Sequence, residues 1–212
     1  MVSSLKKPRG RGSVVNLDRS QKARQIEAVV ADFIGKSVEG LVTLDIGCGN
    51  GGISDWLAED NQHFAVDVAD LRKGDCAYDF ALVSDERLPF DDQTFDLVLS
   101  NHVIEHVADQ QLHLTEIRRT LKPSGCVYLA TPNKSSPIME GHVGNEMVLR
   151  YRQMAPLFRE CGFIVSEYAL DVAKHPEKFA GEVAWARPLP KPLLKLARPL
   201  FPSHIFMLRP KD

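Results

Sequence analysis

Residues Leu41–Ser54 read LVTLDIGCGNGGIS, and the rest of the chain falls into place around them. The stretch opens as a short apolar, β-branched run between Gly40 and Gly47, the pattern of a parallel strand buried on both faces. Glycines follow at alternate positions, Gly47, Gly49 and Gly51, with Gly52 behind them, and a helical pattern begins at Ile53. A strand that passes through glycines into a helix lets a ligand lie against bare main-chain N–H groups. Asp45 adds a carboxylate near the strand's end, suited to a ligand's cationic or hydroxyl groups.

The spacing separates the ligands such a turn can serve. The dinucleotide fingerprint is G-x-G-x-x-G, with a helix N-terminus facing a pyrophosphate. Here Asp45-Ile46-Gly47-Cys48-Gly49-Asn50-Gly51 runs G-x-G-x-G with an acid leading in. This order resembles the first motif of the class I S-adenosylmethionine-dependent methyltransferases. The resemblance implies a ligand with a sulfonium and an amino-acid moiety: S-adenosyl-L-methionine, with S-adenosyl-L-homocysteine as product. Asp45, Gly47, Cys48, Gly49 and Gly51 would hold it. The plainer alternative is a glycine turn that serves only tight packing of strand on helix.

Downstream, Ile53–Glu59 reads as a crossover helix with Trp56 and Leu57 buried, and His63–Val66 as the next strand. That strand ends at Asp67, about 20 residues beyond the first glycine, where this class of fold presents a carboxylate to ribose hydroxyls. The resemblance gives Asp67 the same task, with Val68 beside it, although an aspartate at a strand end is also a turn former. Residues Ala77–Val83 suit a third strand. In the resembling family a polar or acidic side chain ahead of a Leu-Pro-Phe segment receives the adenine amino group. Here that position falls at Ser84 or Asp85, and Asp85 is the better acceptor, with the main chain of Glu86 helping.

A turn at Asp91-Asp92-Gln93 leads into a fourth strand ending at Asn101, at the carboxyl edge where open α/β sheets bind ligands. Asn101 is therefore expected near the transferable methyl. The block that follows, His102-Val103-Ile104-Glu105-His106-Val107, resembles the corresponding block of small-molecule methyltransferases. It also matches H-x-x-E-H, in which two histidines share a helix face around zinc. A zinc site needs a third ligand on another element, no second motif supplies one, and no metal is expected. His106, and after it His102, is the natural general base, with Glu105 orienting one of them. The alternative is two rings that only pack at a helix start.

From Asp18 or Ser20, either a suitable cap, a helix carries Ile26, Val29, Val30, Phe33 and Ile34 on one face. Asp109 caps a later helix with Leu112, Ile117 and Leu121 toward the sheet, and a Pro-Gly turn at residues 122–125 precedes a fifth strand, Cys126–Ala130. A helix over Met147–Cys161, bent or shortened by Pro156, ends at Gly162, and Phe163–Val165 and Ile205–Leu208 form a terminal antiparallel hairpin. Residues 134–146 make a loop over the substrate face, where Glu140 and His142 are spaced as in some members of the superfamily. Residues 184–202 alternate basic and apolar side chains among prolines, which suits a cap on the pocket or weak contact with a membrane or lipid-linked acceptor.

At 212 residues and 44% hydrophobic, the chain suffices for one α/β domain. A net charge of -2 gives no argument for nucleic acid. Cys48, Cys76, Cys126 and Cys161 form no C-x-x-C pair, which fits a reduced cytoplasmic protein. No membrane span, signal peptide or indication of oligomeric state is visible. The expected organisation is a mobile basic arm at 1–15 and one domain over 16–212. Its cofactor half covers about 41–133, with substrate caps at 134–146 and 171–202. The resemblance implies an α/β, doubly wound, mostly parallel seven-stranded Rossmann-like sheet with an antiparallel edge strand. It implies methyl transfer to a small-molecule acceptor, with oxygen favoured and a lipid-linked or saccharide acceptor as a variant. A non-catalytic partner or regulatory subunit keeping the cofactor fold is the rival from another class. Nicotinamide and aminopropyl chemistry are disfavoured by the glycine order and by the lack of an acidic segment after the fourth strand.

Overall fold

The computed structural model describes residues 19–72, 74–84, 87–134, 151–167 and 203–211. The basic arm, Asp85, Glu140, His142 and residues 184–202 lie outside the described residues. Helix α1 (Arg19–Ile34) is followed by β1 (Val42–Ile46), α2 (Gly52–Ala58), β2 (Gln62–Asp67), β3 (Asp79–Leu82) and β4 (Phe95–Asn101). Then come α3 (Gln110–Thr120), β5 (Leu121–Pro132), α4 (Tyr151–Glu160), β6 (Phe163–Glu167) and β7 (Ser203–Pro210).

The strands form one seven-stranded sheet in the order β3-β2-β1-β4-β5-β7-β6. Pairings among β1 to β5 are parallel, and β7 runs antiparallel to both its neighbours. The reversed strand therefore sits one place in from the edge, with β6 outside it. Strand order reverses beside β1, which connects outward to β2 on one side and lies against β4 on the other. This is the switch point at which sheets of this kind open a crevice.

Both faces of the sheet are covered. On one, Ile26, Val29 and Val30 of α1 and Ile53 and Leu57 of α2 pack on Leu97, Leu99, Tyr128 and Met207. On the other, Leu114 and Ile117 of α3 and Met154 and Phe158 of α4 pack on Leu44, Val98, Val127, Leu129 and Phe206. Alternation along β4, β5 and β7 assigns successive side chains to opposite cores, as the pleat requires.

Several local expectations change. Leu112 points outward from α3, and the buried face carries His113, Leu114, Glu116, Ile117 and Thr120. Leu112 and Ile117 are five residues apart, about 140° around a helix, so they cannot share a face, whereas His113 and Ile117 do. Trp56 is half-buried on the α1–α2 seam, and its Nε1 donates to Glu27 Oε2 at 3.0 Å, satisfying the indole's polar edge. Residues 122–125 are an irregularity within β5: Phe95 pairs with Leu121, and pairing resumes at Leu97 with Cys126. Helix α4 keeps Pro156 inside it and stops at Glu160, two residues before Gly162, whose φ is +81°.

Candidate active site

A cavity of about 610 Å³ opens at the carboxyl ends of the first four strands. Its walls are Ile46 and Gly47 after β1, Asp67 and Val68 after β2, Val83 and Ser84 after β3, and Leu88 beyond. His102, Val103, His106, Val107 and Ala108 after β4 and His113 of α3 close the other side. The volume is that of a pocket for a ligand of nucleoside size or larger, mostly apolar with a few convergent polar groups.

The glycine turn shapes one wall. Gly47 has φ +71°, and a Cβ there would lie 2.5 Å from Val103 Cγ2, so a side chain is barred by both conformation and space. Gly51, in the left-handed region, is the N-cap of α2, and the Tyr78 hydroxyl presses on the face a Cβ would occupy. The Gly49 N–H donates to Asp67 Oδ2 at 2.8 Å, while Val68 N–H and Ala69 N–H donate to Asp67 Oδ1 at 2.7 and 3.3 Å. Asp67 thus binds the turn to the end of β2, and a carboxylate, with about four acceptor sites, keeps capacity for a ligand hydroxyl.

Asp45 and Cys48 stand behind this wall. Asp45 is buried and its Oδ2 accepts from Ser54 Oγ at 2.7 Å, so it braces strand against helix beneath the turn. Cys48 packs with Ala65 and Tyr78, and burial, aided by Asp45 and Asp67, pushes its thiol pKa up to about 12. Neither side chain lines the cavity. Val68 does, with 76% of its surface bare. Asn101 ends β4 beside the cavity wall, and its Oδ1 is buried with no partner among the described residues.

The wall after β4 is a turn, not a helix. His102 takes φ +59°, held by its N–H donating to Ala130 O at 2.8 Å. Left-handed backbone in a residue other than glycine is sparsely populated and gathers at functional sites. Nδ1 of His102 lies 3.3 Å from Glu105 Oε1, and Thr131 Oγ donates to Glu105 Oε2 at 3.1 Å. Glu105 and Thr131 are buried, whereas His106 is exposed. The zinc-like spacing therefore carries no shared helix face here. Among the described residues, no three His, Cys, Asp or Glu side chains gather as metal ligands.

A third cavity histidine, His113, is buried on α3 with Nε2 3.2 Å from Ser100 Oγ. Sequence reasoning had not placed His113 at the site. Its helical spacing to Ile117 and Thr120, four and seven residues on, is the signal that marks its inward face.

Residues 44–129 match the family model described as a methyltransferase domain. The chain is 32% identical over 110 residues to a ubiquinone biosynthesis O-methyltransferase of Rhizobium rhizogenes, spanning 47% of this chain and 44% of that protein. It thus spans about half the length of the curated relatives it matches. Among solved structures, phosphoethanolamine N-methyltransferase 2 of Haemonchus contortus, in complex with S-adenosyl-L-methionine, superposes with a TM-score of 0.62 at 19% identity. That overlap covers 89% of this chain and 53% of that one. The 4+2 cyclase SpnF superposes at 0.61 with 20% identity, covering 90% and 81%. Likeness at such identities establishes the fold, which hosts more than one chemistry.

Proposed function

We propose that this chain, whose residues 44–129 form a methyltransferase domain of the class I, S-adenosylmethionine-dependent kind, transfers a methyl group from that cofactor to a hydroxyl of a small-molecule acceptor. The observation that carries this reading is one cavity joining the glycine turn and Asp67 on one wall to three histidines on the other. The residues fit the cofactor: Gly47 brings bare main chain to the cavity wall, with Val103 packed where its side chain would be, and Asp67 offers remaining acceptor capacity at the end of β2.

Bound S-adenosylmethionine supplies a methyl already activated on a sulfonium. The chain's own residues then bind and align. Asp67 accepts from the ribose hydroxyls, Val68 and Leu88 cover the adenine faces, and Ser84 or Asp85 reads its amino group. The main chain of the glycine turn and Asn101 hold the amino-acid end. Most of the acceleration comes from holding two reactants in line. An acceptor hydroxyl must also lose a proton, and His102 and His106, which line the same cavity, are the groups offered to take it. Glu140 and His142, outside the described residues, are proposed to contact the acceptor, and residues 184–202 to cover it.

Isothermal titration calorimetry with S-adenosylmethionine, S-adenosylhomocysteine and NADH tests this. Micromolar binding of both sulfur ligands and none of NADH is expected. Absence of binding by either sulfur ligand overturns the reading in favour of a partner or regulatory subunit on the same fold.

A further inference from the structure

His102 and His106 both face the cavity, but the structure treats them differently. The His106 ring is exposed and has no hydrogen-bond partner among the described residues. His102 is gripped twice by the carboxyl end of β5. Its main-chain N–H donates to Ala130 O, and its ring meets Glu105, whose far oxygen accepts from the hydroxyl of the next β5 residue, Thr131. A carboxylate at 3% exposure is costly to bury, and here each oxygen has its own partner, one on the cavity side and one on the sheet side.

We infer that His102 is the base of the proposed methyl transfer and that Thr131 is its positioning residue, acting through Glu105. This inference rests on the methyltransferase reading above. With Nδ1 3.3 Å from Glu105 Oε1, the proton is assigned to Nδ1 and the lone pair to Nε2. As the acceptor oxygen bonds to the methyl, the methyl–sulfur bond breaks with its electron pair left on sulfur. The hydroxyl proton passes to Nε2 of His102, and Glu105 faces the resulting imidazolium. Thr131 matters because an unanchored glutamate would turn toward water or bind the ring in several poses. Among the described residues, the other titratable groups lining the cavity are Asp67 from β2, His106 from the same turn and His113 from α3.

The test is a histidine-ring ¹H–¹⁵N correlation spectrum of the full chain saturated with S-adenosylhomocysteine. The wild type should show His102 as a single Nδ1–H tautomer. Thr131→Val, which keeps the shape and removes the hydroxyl, should bring up the second tautomer to about a tenth of the population or more. Affinity for S-adenosylhomocysteine should stay within about twofold, Thr131→Ser should restore the single tautomer, and His106→Ala should leave it untouched. With catechol as acceptor probe, Thr131→Val should lower kcat about tenfold, the cost of one misplaced hydrogen bond. An unchanged tautomer in Thr131→Val overturns the inference, as does loss of S-adenosylhomocysteine binding that serine fails to rescue. Absence of S-adenosylhomocysteine binding by the wild type defeats the functional reading, while the spectrum of the free chain still decides the arrangement of Thr131, Glu105 and His102.

Discussion

His63 on β2 is buried, shares a 2.6 Å hydrogen bond with Thr43 Oγ through Nδ1, and has no partner for Nε2 among the described residues. Burial holds its pKa down to about 4. In the unfolded chain the ring titrates near its ordinary value of about 6.5, so between these limits the unfolded state binds more protons. Stability should fall as the pH drops through this window, by roughly 3 kcal/mol at its lower end. Urea unfolding from pH 7 to 4.5 should show this slope, and His63→Phe should flatten it. Asp67 makes a second residue-scale prediction: Asp67→Ala should weaken S-adenosylmethionine binding by about 1–3 kcal/mol, read by calorimetry. Unchanged affinity would remove the proposed ribose role. Asp67 was legible because its distance from Gly47 is set by the length of one βαβ unit. The placements of Asp45 and Cys48 were not, since the same motif fits side chains that face the ligand and side chains that brace the turn from behind.

The last turn of α3 acts as a fastener for the segment that flanks the cavity. Arg119 donates to Leu88 O at 3.0 Å, Phe90 O at 2.7 Å and Asp92 Oδ1 at 2.8 Å, and Glu116 Oε2 accepts both from Arg119 and from Leu88 N–H. The Arg119 guanidinium, chiefly by hydrogen bonding, holds the Glu116 carboxyl below its ordinary value. A depressed carboxyl contributes stability above its unfolded pKa and loses it as the pH falls toward the folded one. The fastener should therefore weaken below about pH 4.5. Arg119→Met should cost about 2 kcal/mol in urea unfolding at pH 7 and shrink as a difference in acid, where the Glu116 and Asp92 carboxylates protonate but the Leu88 and Phe90 carbonyls still lack their donor. Lysine should rescue little, lacking the planar fork. None of this was visible in sequence, because the partners Leu88, Phe90 and Asp92 lie about 30 residues away on another segment. The cap at Asp109, which accepts from Leu112 N–H at 2.9 Å, was visible, because capping is local.

Across the whole molecule, the alternation of strand and helix and the glycine turn gave the layered architecture, since each follows from periodicity and a steric demand. Long-range facts escaped: the order β5-β7-β6, and the meeting of Thr131, Glu105 and His102 across a turn and a strand. If the cavity is the cofactor site, S-adenosylhomocysteine at about a hundred times its Kd should stabilise the fold by about 2.7 kcal/mol. Differential scanning fluorimetry should read this as a rise in Tm of several degrees, and an equal rise with NADH would contradict the assignment.

The position of β7 between two strands that precede it in the chain bears on how the protein is made. While a ribosome is still adding residues, β5 and β6 can be complete before the strand that bridges them, which begins only at Ser203. A nascent chain paused before that point exposes the apolar side chains that Phe206 and Leu208 later cover, along with an unpaired strand edge. His204 then settles opposite Thr131, so the strand that closes the sheet is also the last to arrive beside the anchor of the proposed base.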